Sequence, residues 1–172
     1  MTVIICLTII LVLRYLIITR PLQEELKGYT FEYIYETQTS FVIPIQYQLE
    51  NLDVPPDVIN QMKNDFKTFL DTRVVENSYL SRRKYEAFCN MLDGQLNQEK
   101  EMIKSIDCII IDYGKVKVEG DKAIVKITVK ITENVRSTKS YYRLFTIGFI
   151  NKNDQWKIVT EEFDFLNFEE TP

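Results

Sequence analysis

From residue 106 to residue 132 the chain reads IDCIIIDYGKVKVEGDKAIVKITVKIT. Ala123, Val125, Ile127, Val129 and Ile131 alternate there with Lys122, Lys126, Thr128, Lys130 and Thr132. A period of two with lysine on one side predicts an antiparallel strand that buries one face and wets the other. Just upstream, Glu119-Gly120-Asp121 predicts a tight turn. Before that turn Ile109, Ile111 and Tyr113 read as one face, but past Gly114 the apolar positions become Val116 and Val118, one residue out of phase. A glycine at such a slip predicts a β-bulge that bends the strand. Downstream, residues 134–139 read as a polar loop, and residues 141–150, YYRLFTIGFI, are apolar on both faces, as a central strand would be. Asn151 to Asp154 predicts a further turn, and Gln155 to Phe165 a closing strand.

Upstream of these strands the period lengthens. Pro55-Pro56 breaks the chain, and Asp57 is a natural N-cap for a helix over 57–73 with Val58, Ile59, Met62, Phe66, Phe69 and Leu70 at helical spacing. A second helix is predicted over 81–93, carrying Tyr85, Phe88, Cys89 and Leu92 on one face and ending at Gly94. A short polar stretch, 95–105, turns Leu96 and Ile103 inward. Strands with one apolar face must bury it, and these helices are the available cover. The expected fold class is therefore α+β: helices packed on a curved antiparallel sheet of four or more strands, over residues 57–172.

Residues 21–56 read as a connector. Tyr29, Phe31, Tyr33 and Tyr35 alternate with Thr30, Glu32 and Glu36, and Phe41, Ile43, Ile45, Tyr47 and Leu49 repeat the rhythm around Pro44. Both runs are strand-like, the second demoted by its proline to an edge or an irregular stretch. Exposed, this aromatic stretch (29–49) would be an interaction patch; covered, it would be added core.

Residues 1–20 are of another kind. Positions 2–19, TVIICLTIILVLRYLIIT, hold a single charge, Arg14. Eighteen helical residues span about 27 Å, close to the hydrocarbon thickness of a bilayer. Arg14 would cost about 2.5–3.5 kcal/mol at a bilayer centre, but it lies toward one end, where it can snorkel to the headgroups with Tyr15 and Arg20. No basic start and no small-x-small cleavage site accompany the run, and Cys6 is too early for a lipoprotein signal. An uncleaved single-pass anchor contacting membrane lipid through 2–19 is the expectation. Basic residues after the run would favour a cytoplasmic domain; the habit of single N-terminal anchors favours an external one, which is the orientation expected here.

Composition excludes several function classes. From residue 29 onward 18 basic residues face 23 acidic ones, a poor surface for neutralising phosphates, so no nucleic acid is expected as partner. There is no His, which removes the commonest general base, the commonest metal ligand and every Ser-His or Cys-His arrangement. Cys89 and Cys108 read as packed thiols, although one bridge between them stays open. Heavy use of Ile, Lys, Asn, Glu and Tyr is what AT-rich codons encode, pointing to a low-GC bacterial genome.

The element order, the bulged long strands and the ending Asn153-Asp154-Gln155-Trp156-Lys157-Ile158-Val159 together resemble the NTF2-like superfamily over residues 57–166. The resemblance implies a cone-shaped α+β fold, shared with ketosteroid isomerases and many accessory domains. An anchor followed by such a domain is also similar in layout to VirB8-like components of type IV secretion and conjugation machines; no sequence motif ties the chain to them.

In isomerase-like members a carboxylate base and a tyrosine oxyanion hole face into the cone. Asp112, Tyr113, Tyr141 and Tyr142 could imitate that set, but alternation turns Asp112 away from Tyr113. Asp107, Asp112, Glu161, Glu162 and Asp164 lack the loop spacing of a calcium site and read as solvated. Arg82-Arg83-Lys84 reads as an exposed helix end, and Trp156 as packing in the core or at the mouth of the cone. No catalytic, cofactor-binding or metal-ligating residue is assigned, and no cofactor is expected. The expected function is a non-catalytic, membrane-tethered interaction or assembly domain with a protein partner or a second copy of itself, as in a cell-envelope complex such as a conjugation or secretion apparatus. The alternative is a module holding a small apolar ligand in the cone.

Overall fold

The computed structural model describes residues 12–44, 47–48, 53–96, 103–135 and 137–166. Four long strands, β1 (Ser105–Glu119), β2 (Lys122–Asn134), β3 (Thr138–Lys152) and β4 (Gln155–Leu166), form one antiparallel meander in the order β1-β2-β3-β4. Three helices, α1 (Arg20–Thr39), α2 (Pro56–Arg73) and α3 (Tyr79–Leu96), make the α+β architecture. The alternation of β2 is realised as predicted: Ala123, Val125, Ile127, Val129 and Ile131 are buried, and Lys122 and Lys126 are exposed on the opposite face. Phe145, Ile147 and Phe149 of β3 and Ile158 of β4 complete the buried inner face.

Two of the three hairpins are made by residues that tolerate a left-handed backbone. Gly120 (φ 60°) turns β1 into β2, and Asn153 (φ 52°) with Asp154 (φ 60°) turns β3 into β4. The slip at Gly114 is present as a register shift between Tyr113 and Val116. A second shift, between Ile110 and Asp112, is one the sequence did not announce. It corrects the face assigned to Ile109 and Ile111: both are exposed on the outside of the sheet, while Cys108, Ile110 and Tyr113 pack inward. In a run of three isoleucines periodicity cannot say which one is skipped.

The helices begin and end differently from the sequence expectation. Asp57 is not the cap of α2: Pro55 holds that position, Pro56 opens the helix, and Asp57 places its charge in the first turn. At the far end Lys157 Nζ of β4 donates to the Asp71 carbonyl (3.1 Å) and to that of Thr72, satisfying the last turn. Gly94 does not end α3, which continues to Leu96.

The stretch from Tyr29 to Glu36 is helix rather than strand. It belongs to α1, which buries Leu26, Thr30, Tyr33 and Ile34 at the helical spacing i, i+4, i+7, i+8. A polar Thr30 masked that stripe. Its hydroxyl donates back to the Leu26 carbonyl at 2.7 Å, so it sits in the core at no cost in unpaired polar groups. With Phe41 and Ile43, the residues expected to connect therefore supply part of the same core as the sheet. Ile45 and Leu49 of the second strand-like run lie outside the described residues, and Tyr47 and Gln48 form a helical turn.

The helix backbone is continuous from Val12 through a wider π-helical turn, Tyr15–Thr19, into α1. Among the described residues no helix is long and apolar enough to cross a membrane. The larger part of the expected anchor, residues 2–11, lies outside the described residues.

A further irregularity separates Gly148 from Phe149, where β4 carries an extra residue, Val159. A Cβ on Gly148 would overlap Thr160 Oγ1. Gly148→Ala should therefore destabilise the domain by about 1–3 kcal/mol through overpacking. Adding Thr160→Ala should recover much of that loss, a non-additivity that urea denaturation of the single and double variants would read.

Candidate functional site

Between the helices and the upper half of the sheet lies a cavity of about 320 Å³, at the small end of the range for ligand sites. Its wall is unusual for a small domain because it mixes aromatic rings with four charged side chains: Lys84, Glu133, Arg143 and Glu161. The inward phase of each strand puts them there. Glu133 follows Val129 and Ile131 on β2, Arg143 precedes Phe145 and Ile147 on β3, and Glu161 and Phe163 share a face of β4. Phe66 of α2, Phe88 of α3 and Phe41 beyond α1 form the apolar floor, with Phe66 and Phe88 stacked at 4.3 Å between ring centroids. Met91 and Phe163 line the cavity while remaining 42% and 44% exposed, so it is reached from the surface.

Two of the charges are satisfied as a pair. The Glu161 side chain is 1% exposed, and both its oxygens are engaged: Lys84 Nζ donates to Oε1 and Tyr33 Oη donates to Oε2, each at 2.6 Å. This junction ties α1, α3 and β4 together. Burial, and then the neighbouring Glu161 carboxylate, hold the Tyr33 hydroxyl well above the usual tyrosine range, so it stays a hydrogen-bond donor. Glu133 accepts from Tyr141 Oη, and burial with that bond raises the Tyr141 hydroxyl as well.

Arg143 is placed differently. Its guanidinium carbon lies 4.8, 4.7 and 4.8 Å from the ring centroids of Tyr141, Phe163 and Phe165. Cation–π contacts of that kind contribute from about 0.5 to about 2 kcal/mol, more as water is removed. Nη1 donates to Gln38 Oε1 at 3.0 Å. Among the described residues no carboxylate stands in ion-pair reach of Arg143, and its buried Nε has no hydrogen-bond partner. A buried donor left unpaired costs about 1–3 kcal/mol, more when charged.

The residues singled out from sequence fall as follows. Asp112 is exposed on the outer face and Tyr113 packs inward beneath Lys27, so the isomerase-like set does not assemble. Tyr141 lines the cavity, and Tyr142 points to the other face beside Lys130. Asp107, Asp112, Glu162 and Asp164 are exposed, Glu161 alone turns in, and among the described residues no three acids or thiols group as metal ligands. Arg82 and Arg83 are exposed, but Lys84 of the same basic run turns inward to Glu161. Trp156 packs partly on the core and lines a second hollow of about 210 Å³, where Arg73 stacks on Tyr29 at 4.4 Å. Cys89 and Cys108 are free thiols.

Sequence reasoning missed Arg143, Lys84 and the Tyr33–Glu161 bond. One signal was legible: Arg143 is the lone charge in YYRLFTIGFI and shares the phase of Phe145 and Ile147. The other two depend on contacts 77 and 128 residues apart in sequence.

No protein-family model matches the chain, and no curated protein sequence matches it.

Lys84→Met would leave a nearly inaccessible carboxylate without its cation and should cost about 3–5 kcal/mol of stability. The double variant Lys84→Met/Glu161→Leu should be closer to the parent than Lys84→Met alone, as urea denaturation would show. The Cys108 thiol is raised to about 11, chiefly by burial and then by Asp107. Its folded value lies above the unfolded one, so its contribution to stability is unchanged below about pH 9 and is lost as pH rises toward about 11. Denaturation midpoints across that window should fall more steeply for the parent than for Cys108→Ala.

Proposed function

We propose that the chain is a non-catalytic binding domain held at a membrane by residues 2–19, an interaction or assembly component of a cell-envelope apparatus such as those for conjugation or secretion. The observation that carries this reading is the helical segment that leads into α1. Val12, Leu13, Tyr15, Leu16, Ile17 and Ile18 are all between 48% and 68% exposed on a helix that runs unbroken into the core. A helix apolar all round and uncovered by its own domain is suited to lipid rather than water. Residues 2–11 extend the same composition. The first buried residue of α1, Leu26, comes six positions after Arg20, about 9 Å along the helix, so an anchored chain holds its domain close to the headgroups without a flexible linker.

Absence of catalysis is supported by a chain without histidine and by a buried carboxylate, Glu161, whose two oxygens are already taken by Lys84 and Tyr33. A general base must come within hydrogen-bond reach of the proton it removes, and the Glu161 side chain is 1% exposed and ion-paired. The α+β architecture is compatible with an NTF2-like cone, and the VirB8-like layout supplies the assembly role as an analogy of arrangement.

A second reading, a ligand held in the cone, is favoured by one observation: the cavity of about 320 Å³ is open to the surface rather than filled by side chains. The two readings are compatible, since a tethered domain can recognise its partner through that opening.

Full-length protein expressed in bacterial cells should sediment with membranes and resist extraction by alkaline carbonate, whereas a version beginning at Arg20 should appear in the soluble fraction. Full-length protein found in the soluble fraction would sink the tether.

A further inference from the structure

We infer that the cavity is a carboxylate-recognition site: it takes the carboxylate of an aromatic or aliphatic acid on Arg143, with the apolar body of the acid lying over Phe41, Phe66 and Phe88. The inference rests on the reading of the cavity as a ligand site and goes beyond it by naming the chemistry of the ligand.

Among the charges lining the cavity, Glu161 is matched by Lys84 and Tyr33, and Glu133 accepts from Tyr141. Arg143 lines the same space with no carboxylate in ion-pair reach among the described residues. Its guanidinium is fixed by three aromatic rings, at 4.7–4.8 Å, and by one bond from Nη1 to Gln38 Oε1. That bond leaves Nη2, which has no hydrogen-bond partner among the described residues, while Nε is enclosed and unpaired. A guanidinium N–H donates to a carboxylate oxygen in a charge-assisted bond. Because the rings and Gln38 already hold the guanidinium, a ligand loses little further side-chain freedom on binding. Apart from the charged groups, Thr37 and Gln38, the pocket's wall is aromatic and aliphatic, and its volume corresponds to about ten waters at about 30 Å³ each, enough for one ring or a short chain beside the carboxylate.

The same chemistry is offered by a free organic acid and by the C-terminal residue of a partner protein. Full-length protein in non-ionic micelles would be titrated calorimetrically with 4-phenylbutyrate and with 4-phenylbutanamide, micelles alone serving as blank. The acid is expected to bind at least tenfold more tightly than the amide, and Arg143→Gln should reduce that preference below twofold. A peptide ending in phenylalanine, tested with its carboxylate free and amidated, distinguishes the source: tighter binding than phenylbutyrate, lost on amidation, assigns a protein terminus, and the opposite order a free acid. If Arg143→Gln does not fold, the Arg143 Nε–H resonance of the parent protein reads the same contact, moving with the acid and not with the amide. Equal binding of acid and amide would overturn carboxylate recognition while leaving an apolar ligand site in place. No saturable binding of either compound would overturn both.

Discussion

A long sheet with one apolar face cannot be left open to water, and the covering of that face organises the rest of the molecule. Five consecutive inward positions of β2 are buried, and β3 and β4 continue the same surface. Leaving a single large aliphatic side chain of this kind exposed would forfeit about 1.5–3 kcal/mol. Three helices supply the cover. They do so unevenly, because the bulges at Ile110–Asp112, Tyr113–Val116 and Gly148–Phe149 bend the strands away from a flat contact. At one end the helices meet the sheet closely; at the other a cavity remains.

Where the cover is incomplete, polar chemistry takes over. Glu161 replaces an apolar residue on the inner face of β4, and it is tolerated because α1 brings Tyr33 and α3 brings Lys84 to its two oxygens. A buried ion pair of this sort is weak evidence for added stability; here it joins three elements at one point. It fixes the positions of α1 and α3 against β4, and so fixes the width of the cavity. Arg143, one strand over, meets no such partner and is held instead by aromatic faces. Satisfied Glu161, paired across the strands with Ile147, and Arg143, paired with Phe165, thus share the inner face four residues apart, the first as part of the frame and the second as an available cation.

The apolar helical segment before α1 bears on how the domain is presented. The helix that emerges with Val12–Ile18 exposed is the one whose Tyr33 reaches Glu161. A tether built from it would be mechanically continuous with the junction that frames the cavity, and the opening would keep a set orientation to the membrane surface.

The strands, their order of appearance, the bulge at Gly114, the turns at Gly120 and at Asn153-Asp154 and the helices α2 and α3 were legible in the sequence, because each is fixed by short-range periodicity and by turn residues such as Gly120 and Asn153. The helical state of α1 was not legible. Tyr29, Phe31, Tyr33 and Tyr35 follow a period of two, yet the packing of Leu26, Thr30, Tyr33 and Ile34 against the sheet selects a helix. The candidate site was hidden for a related reason. A lysine in a basic run and a glutamate among acidic neighbours read as solvated until residues 77 positions apart are brought to 2.6 Å. Local pattern sets which faces are apolar; which charges are drawn inside is decided by long-range contacts that no window of sequence contains.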